Sequence, residues 1–298
     1  MRNEFAKAVV ELAKKNEKIL FLTGDLGFNA LEVVRDTLGN RFINAGVAEQ
    51  NMVSVAAGLA SKGFIPIVYS ITPFVIIRPY EQIRNDVCFH DLPVILVGNG
   101  GGYGYGIMGS SHHAIQDIGL MRMLPNMKTI VPTFSTDIET ALDFAVAAKS
   151  PCYMRLNSAI KSNLHFDPWR KLVDGNKAVA IGAGPVVSNL IDQCNKSFLG
   201  DFAIWTLGLF PFPSLPVELV EQIKVTKKIV LIEEHVQSGG LGEAIAVELL
   251  SLGISGLKVS FLNAKGYPSA RYGSQAWHQN ENSLIGQGLE SALAHTLS

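Results

Sequence analysis

Charge is what this sequence has least of: 17% of its 298 residues are Asp, Glu, Lys or Arg, against about 25% in an average soluble protein. So little polar material to coat a lone monomer predicts that part of the surface is buried against a partner. The 25 basic and 26 acidic residues cancel to a formal net charge of −1, which excludes a nucleic-acid or anionic-membrane binder working through bulk charge. Cysteine is scarce. Cys88, Cys152 and Cys194 are far apart and odd in number, which fits neither a disulfide framework nor a zinc cluster. Uncharged stretches such as 64–77 and 202–217 are interrupted by Pro and polar residues and fall short of the ~20 apolar residues that span a bilayer. Met1-Arg-Asn-Glu-Phe-Ala-Lys7 has no apolar segment of the kind a secretory signal carries. The expectation is a cytoplasmic protein without membrane or nucleic-acid partners. Repeats at solenoid spacing and low-complexity tracts are also absent.

What is present is apolar residue, 48% of the chain, in strand-length runs that alternate with helical patterns. The first half reads helix 5–15, strand 19–23, strand 41–44, helix 49–60, strand 65–69, helix 74–89 and strand 93–97. After a glycine-rich loop come helix 114–122, strand 128–131, helix 136–148 and strand 152–156. The pattern lapses across a polar stretch containing Asp167-Pro168-Trp169. It resumes as strand 178–182, helix 186–194, strand 202–206, helix 217–223, strand 228–233, helix 240–251 and strand 257–262. Short apolar strands separated by helices are the signature of βαβ units. The fold class expected is α/β, with two doubly wound domains built on mainly parallel sheets, residues 1–158 and 176–298, joined by a linker at 159–175.

Open parallel sheets bind ligands beyond the carboxyl ends of their strands, which directs attention to Asp25-Leu26, Glu49, Phe74 and the loop ending in His112-His113. Glu49 opens an otherwise apolar helix. It is either a first-turn acid favoured by the helix dipole or a carboxyl group, flanked by Val47 and Ala48, set for general acid–base work. His112 and His113, after Gly109-Ser-Ser111, are either hydrogen-bonding loop residues or part of a site. The loop Gly100-Gly-Gly-Tyr-Gly-Tyr-Gly-Ile-Met-Gly109 has neither a P-loop nor a dinucleotide fingerprint; close backbone approach is the safer inference. Gly239-Gly-Leu-Gly242 follows a strand and opens a helix, which suits either a phosphate or close helix–strand packing. Glu233-Glu-His235 has no matching partners elsewhere, so no metal site is expected.

Taken together, Gly24-Asp-Leu26, Arg41-Phe-Ile-Asn-Ala-Gly-Val-Ala-Glu-Gln-Asn-Met52, Arg78-Pro-Tyr-Glu-Gln-Ile-Arg84 and Gly109-Ser-Ser-His-His-Ala-Ile-Gln-Asp117 through Pro125-Asn-Met127 resemble the pyrimidine-binding domain of transketolases. The second half, with Glu233-Glu-His235 and Gly239-Gly-Leu-Gly-Glu243, resembles the transketolase C-terminal domain. The stretch from Ser111-His-His-Ala114 to Pro125-Asn-Met127 sits closest to the split transketolases. The synthase of 1-deoxyxylulose 5-phosphate and the beta subunits of 2-oxoacid dehydrogenases, also thiamine-diphosphate enzymes, share parts of the pattern. The resemblance implies that Glu49 bonds the pyrimidine ring nitrogen of thiamine diphosphate and promotes the imino tautomer that deprotonates the thiazolium carbon. It implies that Phe74 stacks on the pyrimidine and that Asp25 and Leu26 border the cofactor. It assigns His112 to substrate oxygen protons, with His113 and Asn29 beside the substrate, and Arg155 to a substrate phosphate.

The family's Gly-Asp-Gly…Asn motif, which holds the cofactor's diphosphate and its Mg²⁺ or Ca²⁺, is not in this sequence. The resemblance therefore implies a second polypeptide, an N-terminal transketolase-like subunit that carries the diphosphate domain and the metal, most simply in an α₂β₂ assembly. Two departures bear on substrate. Met108 falls where classical members have an aspartate that reads a donor hydroxyl, and Gly100 where they have a histidine near the substrate phosphate. A thioether is a weak acceptor, so the ordinary pentose phosphates are not the expected substrates. An unusual ketose, a nucleotide-linked sugar and a small 2-oxo acid donor are the alternatives. The expected function is two-carbon ketol transfer. The alternatives are decarboxylating acyl or aldehyde transfer from a 2-oxo acid, and a binding module of the same fold without catalysis.

Overall fold

The computed structural model describes residues 1–26 and 31–298. The first sheet is built from β1 (Ile19–Thr23), β2 (Phe42–Asn44), β3 (Ile65–Ile71), β4 (Ile95–Asn99), β5 (Lys128–Ile130) and β6 (Cys152–Leu156). The second takes β7 (Trp169–Val173), β8 (Ala178–Ala183), β9 (Phe202–Leu207), β11 (Lys228–Glu233) and β12 (Lys258–Leu262), while the short β10 (Leu209–Phe210) joins the first. Strand orders are β10-β5-β6-β4-β3-β1-β2 and β12-β11-β8-β9-β7. All pairings are parallel except β10 on β5 and β7 on β9. The α/β class with mainly parallel sheets is as the sequence predicts.

The central strands are apolar along their whole length because both faces are covered by helices. In β1, Ile19 and Phe21 pack with Phe5 and Val9 of helix Arg2–Lys15 on one face. Leu20 and Leu22 pack with Met52, Val53 and Ala56 of helix Glu49–Ser61 on the other. The period-two split recurs in β8, where Val179 and Ile181 enter one cluster and Ala178 and Ala180 the opposite one.

Three departures from the pattern reading have physical causes. The helix expected at 74–89 is broken into Thr72–Ile76, Tyr80–Gln82 and a π-helical stretch Ile83–Cys88. Pro79 lacks an N–H and disfavours helical backbone at the residue before it, so the chain turns out at Arg78. Within the polar stretch expected as linker, Trp169–Val173 forms β7, an antiparallel edge strand. Its polar and charged residues masked the strand pattern, as they do at sheet edges. Arg170 of β7 is buried and donates to both oxygens of Asp137 in the first half at 2.7 Å. Finally, β10 carries the second half's chain back to pair with β5, so the two halves share hydrogen bonds as well as apolar contact. Helices Glu32–Leu38, Gln275–Glu281 and Gly286–Leu297 lie outside the elements expected from the pattern. Among the described residues no helix is long and apolar enough to cross a membrane.

Candidate active site

The carboxyl ends of β1, β2, β3 and β4 bring together residues from four separate stretches of chain. β2 ends at Asn44, whose amide oxygen accepts from the backbone N–H of Asp25 and of Gly46, each at 3.0 Å, while its Nδ2 donates to Asp25 Oδ1 at 3.1 Å. This knot places the Gly24-Asp25 turn against the start of helix Glu49–Ser61: a Cβ built on Gly24 would lie 3.1 Å from the Gly46 carbonyl and 4.0 Å from Glu49 Cγ. Asp25 takes the left-handed conformation, φ 56°, which Asp tolerates better than most residues. Leu26 and Asp25 line a neighbouring cavity of about 350 Å³. Asn29 lies outside the described residues.

Glu49 is the first residue of its helix, anchored from below by the fully buried Met52 and Val53. Its side chain is 6% exposed and its Oε1 accepts from Arg78 Nη1 at 2.8 Å. Both residues line a cavity of about 400 Å³ together with Val47, Ala48, Gln50 and Asn51. The Arg78 guanidinium also lies over the ring of Phe74, 3.7 Å from its centroid, a strong cation–π distance. On its other contact Phe74 meets His112 edge to face, with centroids 5.1 Å apart. His112 is half-buried, bonded through Nδ1 to Ser111 Oγ at 2.9 Å, and its ring stands 5.8 Å from that of Tyr105. Glu49, Phe74 and His112, singled out by sequence, thus form one continuous surface. Arg78 stands in the sequence only as part of a motif, and its role as the bridge between Glu49 and Phe74 emerges from the fold.

The structure corrects two other expectations. Arg155 does not stand open to a substrate phosphate. It is 3% exposed and its Nε lies 2.7 Å from Asp117 Oδ2. Its Nη2 donates to the carbonyls of Ala114 and Glu234 at 3.0 and 2.9 Å. The reason is the second half of the chain, which closes over β6. His113 likewise turns away from Phe74: it is buried, with Nε2 on the Gly106 carbonyl at 2.7 Å and Nδ1 on the Tyr267 hydroxyl at 2.9 Å. Both belong to the seam between the two sheets.

Glu233-Glu-His235 is the other side of that seam. Glu234 accepts from the Tyr103 N–H at 2.6 Å and from the side chains of Gln275 and Gln279. His235 Nε2 accepts from the Gly119 N–H at 3.1 Å, and burial pulls its pKa below the ordinary value. Glu233 settles the question of the glycine-rich helix start. Its carboxylate caps the amides of Leu241 and Gly242 at 2.8 and 3.2 Å, so the chain's own acid fills the place a phosphate would take. Burial pushes its pKa up to about 7 against the pull of those amides. The loop glycines serve the same closure: a Cβ on Gly101 would come within 2.4 Å of Arg155, and one on Gly102 within 2.5 Å of Glu234. Among the described residues no group of three or more His, Cys, Asp or Glu is placed to hold a metal ion.

The profile of the transketolase pyrimidine-binding domain matches residues 1–161. The chain belongs to the transketolase family. This transketolase-family chain is 31% identical over 215 residues to one subunit of the apulose-4-phosphate transketolase of Actinobacillus succinogenes, covering 70% of this chain and 69% of that protein. It is 29% identical over 306 residues to 1-deoxy-D-xylulose-5-phosphate synthase of Syntrophus aciditrophicus, covering 97% of this chain but spanning only 46% of that protein. A solved split-gene transketolase, described as an inactive β4 tetramer, superposes with a TM-score of 0.84 at 28% identity, over 99% of this chain and 97% of that one. The family depends on thiamine diphosphate, and the site suits its pyrimidine half. A recessed carboxylate borders the cavity, and an aromatic face lies next to it across Arg78; the two are complementary to a ring nitrogen and a ring face.

Proposed function

We propose that this chain is the pyrimidine-side subunit of a thiamine-diphosphate enzyme that transfers a two-carbon ketol unit from a ketose donor to an aldehyde acceptor. A second polypeptide contributes the diphosphate domain and its Mg²⁺ or Ca²⁺, in an α₂β₂ assembly in the cytoplasm. The observation that carries this reading is the recessed Glu49 carboxylate sharing one surface with the Phe74 ring and His112. In it Glu49 bonds the pyrimidine ring nitrogen, Phe74 supports the ring face, Asp25 and Leu26 border the cofactor, and His112 exchanges protons with substrate oxygens. The cofactor, when bound, supplies a carbon nucleophile that no side chain here provides.

Two features bear on partner and substrate. Val47, Ile77 and Ile107 are 74%, 43% and 75% exposed in and near this surface, an apolar rim suited to burial against another chain. Met108, 54% exposed, offers a weak acceptor four residues before His112, and Arg155 is enclosed. Both argue against the ordinary pentose phosphates as substrates. The match to the synthase over 97% of this chain supports a second reading, decarboxylating transfer from a 2-oxo acid.

Calorimetric titration of thiamine diphosphate and Mg²⁺ tests the proposal, with the chain alone and mixed with a polypeptide carrying the diphosphate domain. Binding is expected only in the mixture; a tight 1:1 complex of the chain alone would overturn the split-subunit reading. In the active mixture Glu49→Gln should cut turnover by about 10²–10⁴-fold. An unchanged rate would point to a module without catalysis, and CO₂ release from pyruvate would favour the second reading.

A further inference from the structure

Arg78 makes two contacts at once: its Nη1 holds Glu49 Oε1 at 2.8 Å, and its guanidinium plane covers Phe74 at 3.7 Å from the ring centroid. These are the same two groups, a carboxylate and an aromatic face, that would receive a pyrimidine ring. A planar cation and a planar heterocycle cannot occupy one stacking distance on one face. Phe74 also meets His112 edge to face, with ring centroids 5.1 Å apart, and His112 is held in a turn by its backbone N–H on the Gly109 carbonyl at 3.0 Å. Arg78 has the freer path. It sits at the helix break before Pro79, its side chain is 46% exposed, and it borders the cavity beside Glu49.

We propose that Arg78 is the gate of the pyrimidine seat: its guanidinium occupies the place between Glu49 and Phe74 and is exchanged for the cofactor ring, swinging outward through the cavity when the ring enters. The inference rests on the cofactor reading given above and assigns a residue that reading leaves without a role. The exchange has a consequence for recognition. A ring that enters must replace both an ion pair and a stack, so a ligand offering only one of the two contacts, such as an unsubstituted aromatic, is turned away.

The test uses the full chain at millimolar concentrations of 4-amino-5-hydroxymethyl-2-methylpyrimidine, the isolated pyrimidine, followed by ligand-observed NMR for the wild type, Arg78→Lys, Arg78→Ala, Phe74→Ala and Glu49→Gln. Removing the gate should tighten pyrimidine binding by about tenfold in Arg78→Ala, the summed scale of an exposed stack and an exposed ion pair. Arg78→Lys, which keeps the charge but loses the planar stack, should fall between. In the wild type, adding the pyrimidine should shift the Arg78 side-chain NεH resonance, which a merely structural arginine would not show. Equal or weaker binding by Arg78→Ala, with the wild type binding and Phe74→Ala and Glu49→Gln weakened, overturns the gate and leaves the cofactor reading standing. Absence of binding by every variant, Arg78→Ala included, overturns the gate, and binding that Phe74→Ala and Glu49→Gln leave unchanged overturns both.

Discussion

Two arginine–carboxylate pairs in this molecule look alike on paper and do opposite things. Arg78 and Glu49 meet at 2.8 Å and Arg155 and Asp117 at 2.7 Å, but the first pair is 46% and 6% exposed and the second 3% and 0%. The open pair has a cavity on one side and an aromatic ring on another, the setting in which the proposed exchange of the arginine for a ligand takes place. The closed pair is surrounded by further partners: Tyr153 donates to Asp117 at 2.7 Å, and the Ala114 and Glu234 carbonyls accept from the far end of the guanidinium. Where a charge is enclosed and engaged on several sides, it becomes mortar between two sheets. Where one side is left to solvent, it can do chemistry.

The largest effect expected from breaking this contrast is on the closed pair. Arg155→Met leaves the Asp117 carboxylate enclosed without its cation, and should cost about 3–5 kcal/mol of stability in urea unfolding; a loss under ~1 kcal/mol would mean that the seam tolerates an unpaired carboxylate and is wetter than its burial implies. Next in size is Glu233. Its carboxyl is raised from 4.5 to about 7 in the folded chain, so between those values the native state holds more protons than the unfolded one. Its contribution is full below the unfolded value and is lost as pH rises through about 7. Glu233→Gln, which keeps one acceptor oxygen for the Leu241 and Gly242 amides and cannot ionise, should remove that decline, a difference on the order of 1–3 kcal/mol between about pH 5 and pH 8. His235 and His113, both lowered by burial, act with the opposite sign, losing stability as pH falls. They are common to both proteins, so subtracting the two unfolding series isolates Glu233.

The smallest effect sharpens the comparison between adjacent residues. His113→Ala removes the partner of the Gly106 carbonyl and the Tyr267 hydroxyl and should cost about 1–3 kcal/mol. His112→Ala should stay within about 0.5 kcal/mol of the wild type, while lowering turnover of the assembled enzyme. If thermal unfolding ranked the two variants in the reverse order, His112 would be the structural member of the pair.

Much of the α/β architecture was legible because a strand covered on both faces must be apolar throughout, as β1, β8 and β9 are. The edge strand β7 was not, since an edge carries the polar residues of a loop. Nor was the break at Arg78, where Pro79 was visible but the direction of the freed arginine was not. Glu49, Phe74 and His112 are singled out by the sequence because each follows a strand in a recognisable motif, and the fold brings them close together through Arg78. The neighbouring His113, and Arg155 by the resemblance alone, were expected beside them, and both are enclosed in the seam, because burial by a distant segment leaves no local mark.

The sequence by itself determined the period of the strands, the helices that cover them and the family to which they belong, because these follow from local patterns of apolar residues and short motifs. Only the tertiary structure decided which acids and bases are free. Whether a carboxylate meets solvent or a saturated set of donors depends on residues far away in the chain, as Tyr103 and Glu234 show by meeting at 2.6 Å. Desolvation and hydrogen-bond saturation are properties of the assembled seam, and they separate the site from the scaffold.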